Sequence, residues 1–258
     1  MGHIRLGTLP RTRRWKEVID LVAGGGGDAA AIASATLDAA EHDLSEAAND
    51  TGLRHAFWLL TQVPDAATSP DFASALRAVG MTVSDAPSAA ELTSAFTQAV
   101  DDRVEATKSR SGTGELAQIA AAETLSMFLR DRASTLFGST TEDVRFELAK
   151  AATEVRFGLL ARDFFARFTG RYLAYFVSKE LPQNIGPNRR FGNLDEARAF
   201  SSALDLHCRE ASKIVEAFAG GWYSKARFEK DLTEARAGRF VTYALKKVRS
   251  ELRRGQPK

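Results

Sequence analysis

A single cysteine, Cys208, leaves no partner for a disulfide within the chain. A lone thiol fits a reducing compartment. No run of about 18 uncharged apolar residues occurs, so no membrane-spanning helix is expected. The most apolar region, FGLLARDFFARFTGRYLAYFV (157–177), carries Arg162, Asp163, Arg167 and Arg171, too many charges for lipid as its solvent. The N-terminus, MGHIRLGTLPRTRRWK, has basic residues but no apolar stretch, which disfavours a secretory signal. Leu6 stands where N-myristoylation after Gly2 would need Ser or Thr. The expected location is the cytoplasm, with no membrane partner.

Histidine is also scarce. His3, His42, His55 and His207 form no His-Glu-x-x-His motif, and no Cys-x-x-Cys exists. Neither a metal site nor a cofactor is therefore expected. His207 and Cys208 are neighbours, and on a helix they would point about 100° apart. That geometry makes no local Cys–His catalytic pair. The Arg-x4–6-His spacing of helical RNases of the HEPN class is missing too.

The chain does have bulk and charge. Its 258 residues are 44% hydrophobic and 26% charged, enough for a sizeable core and against global disorder. The net charge of +2 hides an asymmetry: residues 1–16 carry +5 and residues 239–258 carry +6, which leaves −9 for the rest. Residues 28–105 account for it, with thirteen acids facing only Arg54, Arg77 and Arg103. Such a layout implies either a partner for each sign or a meeting of the two parts.

Helical periodicity dominates, and the expected fold is all-α: a multi-helix bundle that could divide into two helical subdomains. Helices are predicted near 15–22, 29–48, 53–62, 71–79, 89–107, 115–136, 141–152, 154–180, 195–218 and 234–254. Only His3–Leu9 alternates like a short strand. Ser69-Pro70, Ser88 with Glu91, Ser139 with Glu142 and Asn193 with Glu196 carry the spacing of helix starts, where a side-chain oxygen satisfies a free first-turn N–H. The expected organisation is a basic segment with a short helix and glycine hinge (1–27), an acidic Ala-rich helical region (28–110) and an aromatic-rich bundle with a basic last helix (111–258). TKSRSGTG (107–114) is the predicted linker, and LPQNIGPNRRFGN (181–193) an ordered turn-rich loop.

The glycines of LVAGGGGDAAAIASATL (21–37) suggest a phosphate loop at first sight. A predicted helix precedes them, no Lys or Ser/Thr follows the last one, and Asp28 stands at the cap with further acids beyond. Those features oppose phosphate. The expected role is a hinge.

On the helix at 154–180, Phe157, Ala161, Phe164, Phe168, Tyr172 and Tyr175 project as a broad apolar arc. Arg156, Asp163, Arg167 and Arg171 form a polar stripe, with Asp163 and Arg167 spaced to pair. Arg162 projects onto the apolar side and needs a partner there. It is a candidate for a buried ion pair with a carboxylate from another helix, or for anion binding.

The last helix carries the strongest functional signal. In RFVTYALKKVRSELRR (239–254), Phe240, Val241, Ala244, Leu245, Val248 and Leu252 fall on one face. Arg239, Lys246, Lys247, Arg249, Arg253 and Arg254 fall on the other, with Tyr243 among them. Clustered cations suit DNA or RNA through counterion release, or another acidic macromolecule. A merely solvated basic face, matched to the helix dipole, is the alternative. Anionic lipid is disfavoured because the apolar face is committed to the core. Lys225, Arg227, Arg189 and Arg190 extend the strip if the fold brings them near.

FAGGWYSKARFEKDLTEARAGRFVTYALKKVRSEL (218–252), with LARDFFARFTGRYLAYFVSKEL (160–181), resembles uncharacterised helical bacterial proteins associated with multi-gene antiviral defence clusters. The resemblance covers roughly the C-terminal half. It implies a subunit of a multi-protein system and no catalytic residues. The expected function is thus a non-enzymatic accessory or adaptor subunit that binds other protein subunits and contacts nucleic acid non-specifically through its basic C-terminal surface. The alternative is an enzyme of the nuclease or phosphodiesterase type, with a site assembled from dispersed Asp, Glu and Arg residues. Converging carboxylates in a pocket would favour the enzyme, and an open basic strip would favour binding.

Overall fold

The computed structural model describes residues 13–24, 29–39, 47–133, 140–178 and 181–254. Among these it contains ten α-helices, one short 3₁₀ turn and no strand, so the all-α expectation holds. The helices are α1 (Arg13–Gly24), α2 (Ala29–Ala39), α3 (Thr51–Ala67), α4 (Phe72–Ala78) and α5 (Ala89–Ala106). They continue with α6 (Gly112–Ala133), α7 (Thr141–Ala151), α8 (Glu154–Val177), the 3₁₀ turn Leu181–Asn184, α9 (Leu194–Phe228) and α10 (Glu234–Arg254). His3–Leu9, the glycines after Gly24, Asp28 and Ser139 lie outside the described residues.

Two helices organise the bundle. α8 packs against α2, α6, α7 and α9, and α3 packs against α4, α5, α6, α7 and α10. The apolar arc of α8 explains its position, since Phe157, Ala161, Phe164, Phe168 and Tyr172 are all buried, while Tyr175 stays half-exposed. Phe57 of α3 inserts among these rings. Its centroid lies 5.5 Å from that of Phe164, 5.4 Å from Phe165 and 5.1 Å from Phe240 of α10, on which it stacks. A ring from the acidic N-terminal region therefore sits at the centre of the aromatic C-terminal one. One contiguous set of buried side chains runs from Trp15 in α1 to Leu252 in α10.

α8 and α9 run antiparallel at close range, and glycine makes this possible. A β-carbon on Gly220 would stand 2.1 Å from the Glu154 carbonyl oxygen, and one on Gly158 would stand 3.0 Å from that of Glu216. The helix predicted from the sequence ends at 218, two residues before the Gly220-Gly221 pair. The helix instead continues to Phe228, because the helix-weakening glycine is also the residue that admits the neighbouring backbone. α3 likewise runs past its predicted end, with Pro64 inside it. The carbonyl of Thr61, in the turn before Pro64, accepts the Tyr223 hydroxyl at 3.2 Å.

Ser88 caps α5, accepting from the Glu91 N–H at 3.2 Å, but the Glu91 carboxylate turns to Ser84. Asn193 caps α9 through the N–H groups of Asp195 and Glu196. Two predicted caps shift. The reciprocal box on α7 uses Thr140 and Asp143 instead of Ser139 and Glu142, and α4 starts from Asp71, one residue beyond Ser69-Pro70. Of the polar stretch 107–114, residues 107–111 form a tight turn between α5 and α6 and 112–114 begin α6; the turn is pinned where Ser111 Oγ donates to Asp50 Oδ2. Asp50 Oδ1 meanwhile accepts from Leu53 N at 2.8 Å, so one carboxylate caps α3 and anchors the start of α6. The 181–193 loop is ordered as expected. Phe191 N donates to Asn184 O at 3.0 Å, and the Phe191 ring packs 5.4 Å from Phe200.

Candidate functional site

α10 forms because its apolar residues recur at helical spacing, and Thr233 accepts from the Arg236 N–H at its start. All six predicted face residues, Phe240, Val241, Ala244, Leu245, Val248 and Leu252, are buried. Trp222 and Phe218 of α9 pack on Phe240 at 4.3 and 5.5 Å between centroids, which fixes which face of α10 turns to solvent.

That solvent face carries Arg239, Tyr243, Lys246 and Lys247, all exposed. They sit at i, i+4, i+7 and i+8, so they share one side of the helix. None of the three cations lies within 4 Å of a carboxylate among the described residues, and Arg239 is near enough to Asp231 to help hold its carboxyl below the usual range. Lys247 Nζ lies 5.4 Å from the centroid of Tyr243, whose ring is 48% exposed and braced edge-on by Phe218 at 5.0 Å. A groove of about 600 Å³ runs alongside, lined by Ala48, Leu245, Lys246, Arg249, Ser250 and Arg254.

The remaining predicted strip residues divide. Arg249 is half-buried on the flank of the strip. Arg254 turns back to Glu251 of its own helix at 2.6 Å. Arg253 pairs with Asp38 near the end of α2, where Arg14 of α1 also donates to the Asp38 carbonyl at 2.9 Å. Two basic residues thus close on the negative end of the α2 dipole and its carboxylate. At this point the basic ends of the chain meet its acidic part. Lys225 is exposed near the α9–α10 turn, with Glu229 at 3.8 Å. Arg227 does not extend the strip. It reaches across to Asp65 of α3 at 2.6 Å and to the Ala152 carbonyl at 3.2 Å.

Arg162 has the partner its position demands. Glu216 of α9 takes its Nη1 at 2.8 Å, with both side chains about one-third exposed. Arg167 does not pair with Asp163. It and Arg171 both face Glu123 of α6, Arg167 at 3.6 Å and Arg171 in close contact. The Cys208 thiol is buried and pushed up to about 12, first by desolvation and then by the charge of Asp205. His207 points its Nε2 at the Leu252 carbonyl, 3.3 Å away. Neither geometry activates a nucleophile. Among the described residues, no three His, Cys, Asp or Glu side chains converge to hold a metal ion. No described helix is long and apolar enough to cross a membrane.

Comparison with protein-family models, curated proteins and solved structures gives no match.

Proposed function

We propose that this protein is a non-enzymatic helical accessory subunit whose α10 face binds nucleic acid without sequence selectivity. The observation that carries the reading is the set Arg239, Lys246 and Lys247, exposed on one face and without carboxylate partners among the described residues, around a half-exposed Tyr243. From Arg239 to Lys247 the unpaired face is about 12 Å long at 1.5 Å per residue, enough for its three cations to meet separate phosphates. Lys and Arg supply the phosphate contacts, and a braced tyrosine offers a stacking surface that tolerates any base. The strip is convex and helical, with no side chains arranged to read base edges.

The subunit role rests on the resemblance of residues 160–181 and 218–252 to helical proteins of bacterial antiviral gene clusters. Large apolar side chains left in solvent give it further support: Phe146 is 62% exposed, Val155 72% and Phe228 90%.

The test is charge reversal. Arg239→Glu, Lys246→Glu and Lys247→Glu together abolish the shift of duplex DNA or RNA at low salt. Reversing the internally paired Arg227 in place of the strip leaves binding in the folded fraction intact. Binding that survives the triple reversal refutes the assignment.

A further inference from the structure

A second cavity is lined by the last part of α8, the first part of α9, Glu123 of α6 and Leu181 of the 3₁₀ turn. It measures about 310 Å³, the small end of the range for small-molecule sites. Val177, Leu181, Phe200 and Leu204 make one wall, and all but Leu181 are buried. The opposite rim carries Arg167 and Arg171 of α8, Arg209 of α9, and the carboxylates Glu123 and Asp205.

The donor inventory of that rim is incomplete. Arg171 and Arg167 share the single carboxylate of Glu123, and the Arg167 contact, at 3.6 Å, is longer than a hydrogen bond. The Nε of Arg167 is buried with no hydrogen-bond partner. Arg209 uses its Nε on Asp205 Oδ2 at 2.8 Å, which leaves both Nη groups. Three guanidiniums against two carboxylates leave one positive charge on the described rim of a cavity whose other wall is hydrocarbon.

We propose that this cavity binds a small organic monocarboxylate. Its carboxylate lies against Arg167, Arg171 and Arg209, and its hydrocarbon part against Val177, Phe200 and Leu204. One ligand charge balances the rim, whereas a phosphate dianion overshoots it and loses more hydration on entry. A planar carboxylate also matches the guanidinium fork. The apolar wall sets the preference for an acid with a short alkyl or aryl body.

The experiment is isothermal titration of the full chain with octanoate, hexanoate and benzoate, alongside octan-1-ol and inorganic phosphate. Saturable one-to-one binding of at least one acid is expected, with octan-1-ol weaker than octanoate by about tenfold or more. Arg167→Met removes one guanidinium from the rim and lowers affinity by about tenfold or more, with melting temperature and circular dichroism reporting its fold. Ser201→Trp, at an exposed α9 position on the cavity mouth, fills the space and abolishes binding without disturbing the rim charges. The proposal is overturned by the absence of saturable binding for all three acids. Equal affinity for octan-1-ol and octanoate, tighter binding of phosphate than of any acid, or unchanged affinity in the Ser201→Trp variant would each overturn it too.

Discussion

The α-carbon of Gly220 faces the main-chain carbonyl of Glu154 so closely that a β-carbon there would stand 2.1 Å from the oxygen. No side chain can move aside to relieve such a contact, because the obstacle is backbone. Gly220→Ala must push α8 and α9 apart and lowers stability by about 1–3 kcal/mol or more. Gly221→Ala meets only the Glu154 carboxylate, at an ordinary 3.6 Å, and raises helix propensity, so it is neutral or stabilising by about 0.5–1 kcal/mol. Urea denaturation of the two variants distinguishes them. Equal shifts would refute the close-packed seam.

Asp50 provides a second structural test. Its two oxygens serve the start of α3 through Leu53 N and the start of α6 through Ser111. Asp50→Ala removes both contacts and costs about 1–2 kcal/mol. Ser111→Ala removes the contact to Asp50 and also its own cap on Gly114 N, 2.9 Å away. Because the Asp50–Ser111 contact is counted in both, the double variant loses less than the sum of the two single losses. Full additivity would refute the shared anchor.

These two features mark the boundary of what the sequence reveals. The period of α10 gave its buried face residue by residue, because a two-sided helix carries its orientation in its own spacing. The caps Ser88 and Asn193 were legible for the same local reason. Gly220 was not, since its helix-weakening effect is written in the sequence while the backbone it admits comes from a segment 66 residues earlier. Charge pairing was the least legible. Arg227 meets Asp65 across 162 residues and Arg253 meets Asp38 across 215, so only the fold shows which cations of a basic stretch are already neutralised. Of the predicted strip, Arg239, Lys246 and Lys247 remain outward, while Arg253 and Arg254 are engaged within the chain.

Acid sensitivity should trace to His55. Burial lowers its affinity for a proton more than neighbouring Glu234, 3.3 Å away, raises it, and Arg103 on the same carboxylate lowers it further. A histidine with a depressed folded pKa contributes stability that is complete above the unfolded value of 6.5 and is lost as pH falls through the folded value. Thermal stability therefore declines below about pH 6.5 in the wild type, and the decline is shallower in His55→Gln. Parallel curves for the two proteins would refute the assignment.

Cys208 supplies a check on the α8–α9 core that needs no mutation. Its thiol is fully buried and pushed up to about 12, so almost no thiolate exists at neutral pH. A disulfide reagent reacts with the native protein only as fast as α9 opens, and promptly in denaturant. Prompt labelling of the native state would contradict the packing.

The most direct test of the binding role is the salt dependence of affinity for a fluorescent DNA duplex, compared between wild type and the Arg239→Glu, Lys246→Glu, Lys247→Glu variant. Each neutralised phosphate contributes about −0.9 to the slope of log K against log salt, so three strip cations predict a slope of about −3. The account predicts that slope in the wild type and no measurable binding in the variant. A wild type that fails to bind at low salt, or a variant that binds with the same slope, would contradict it.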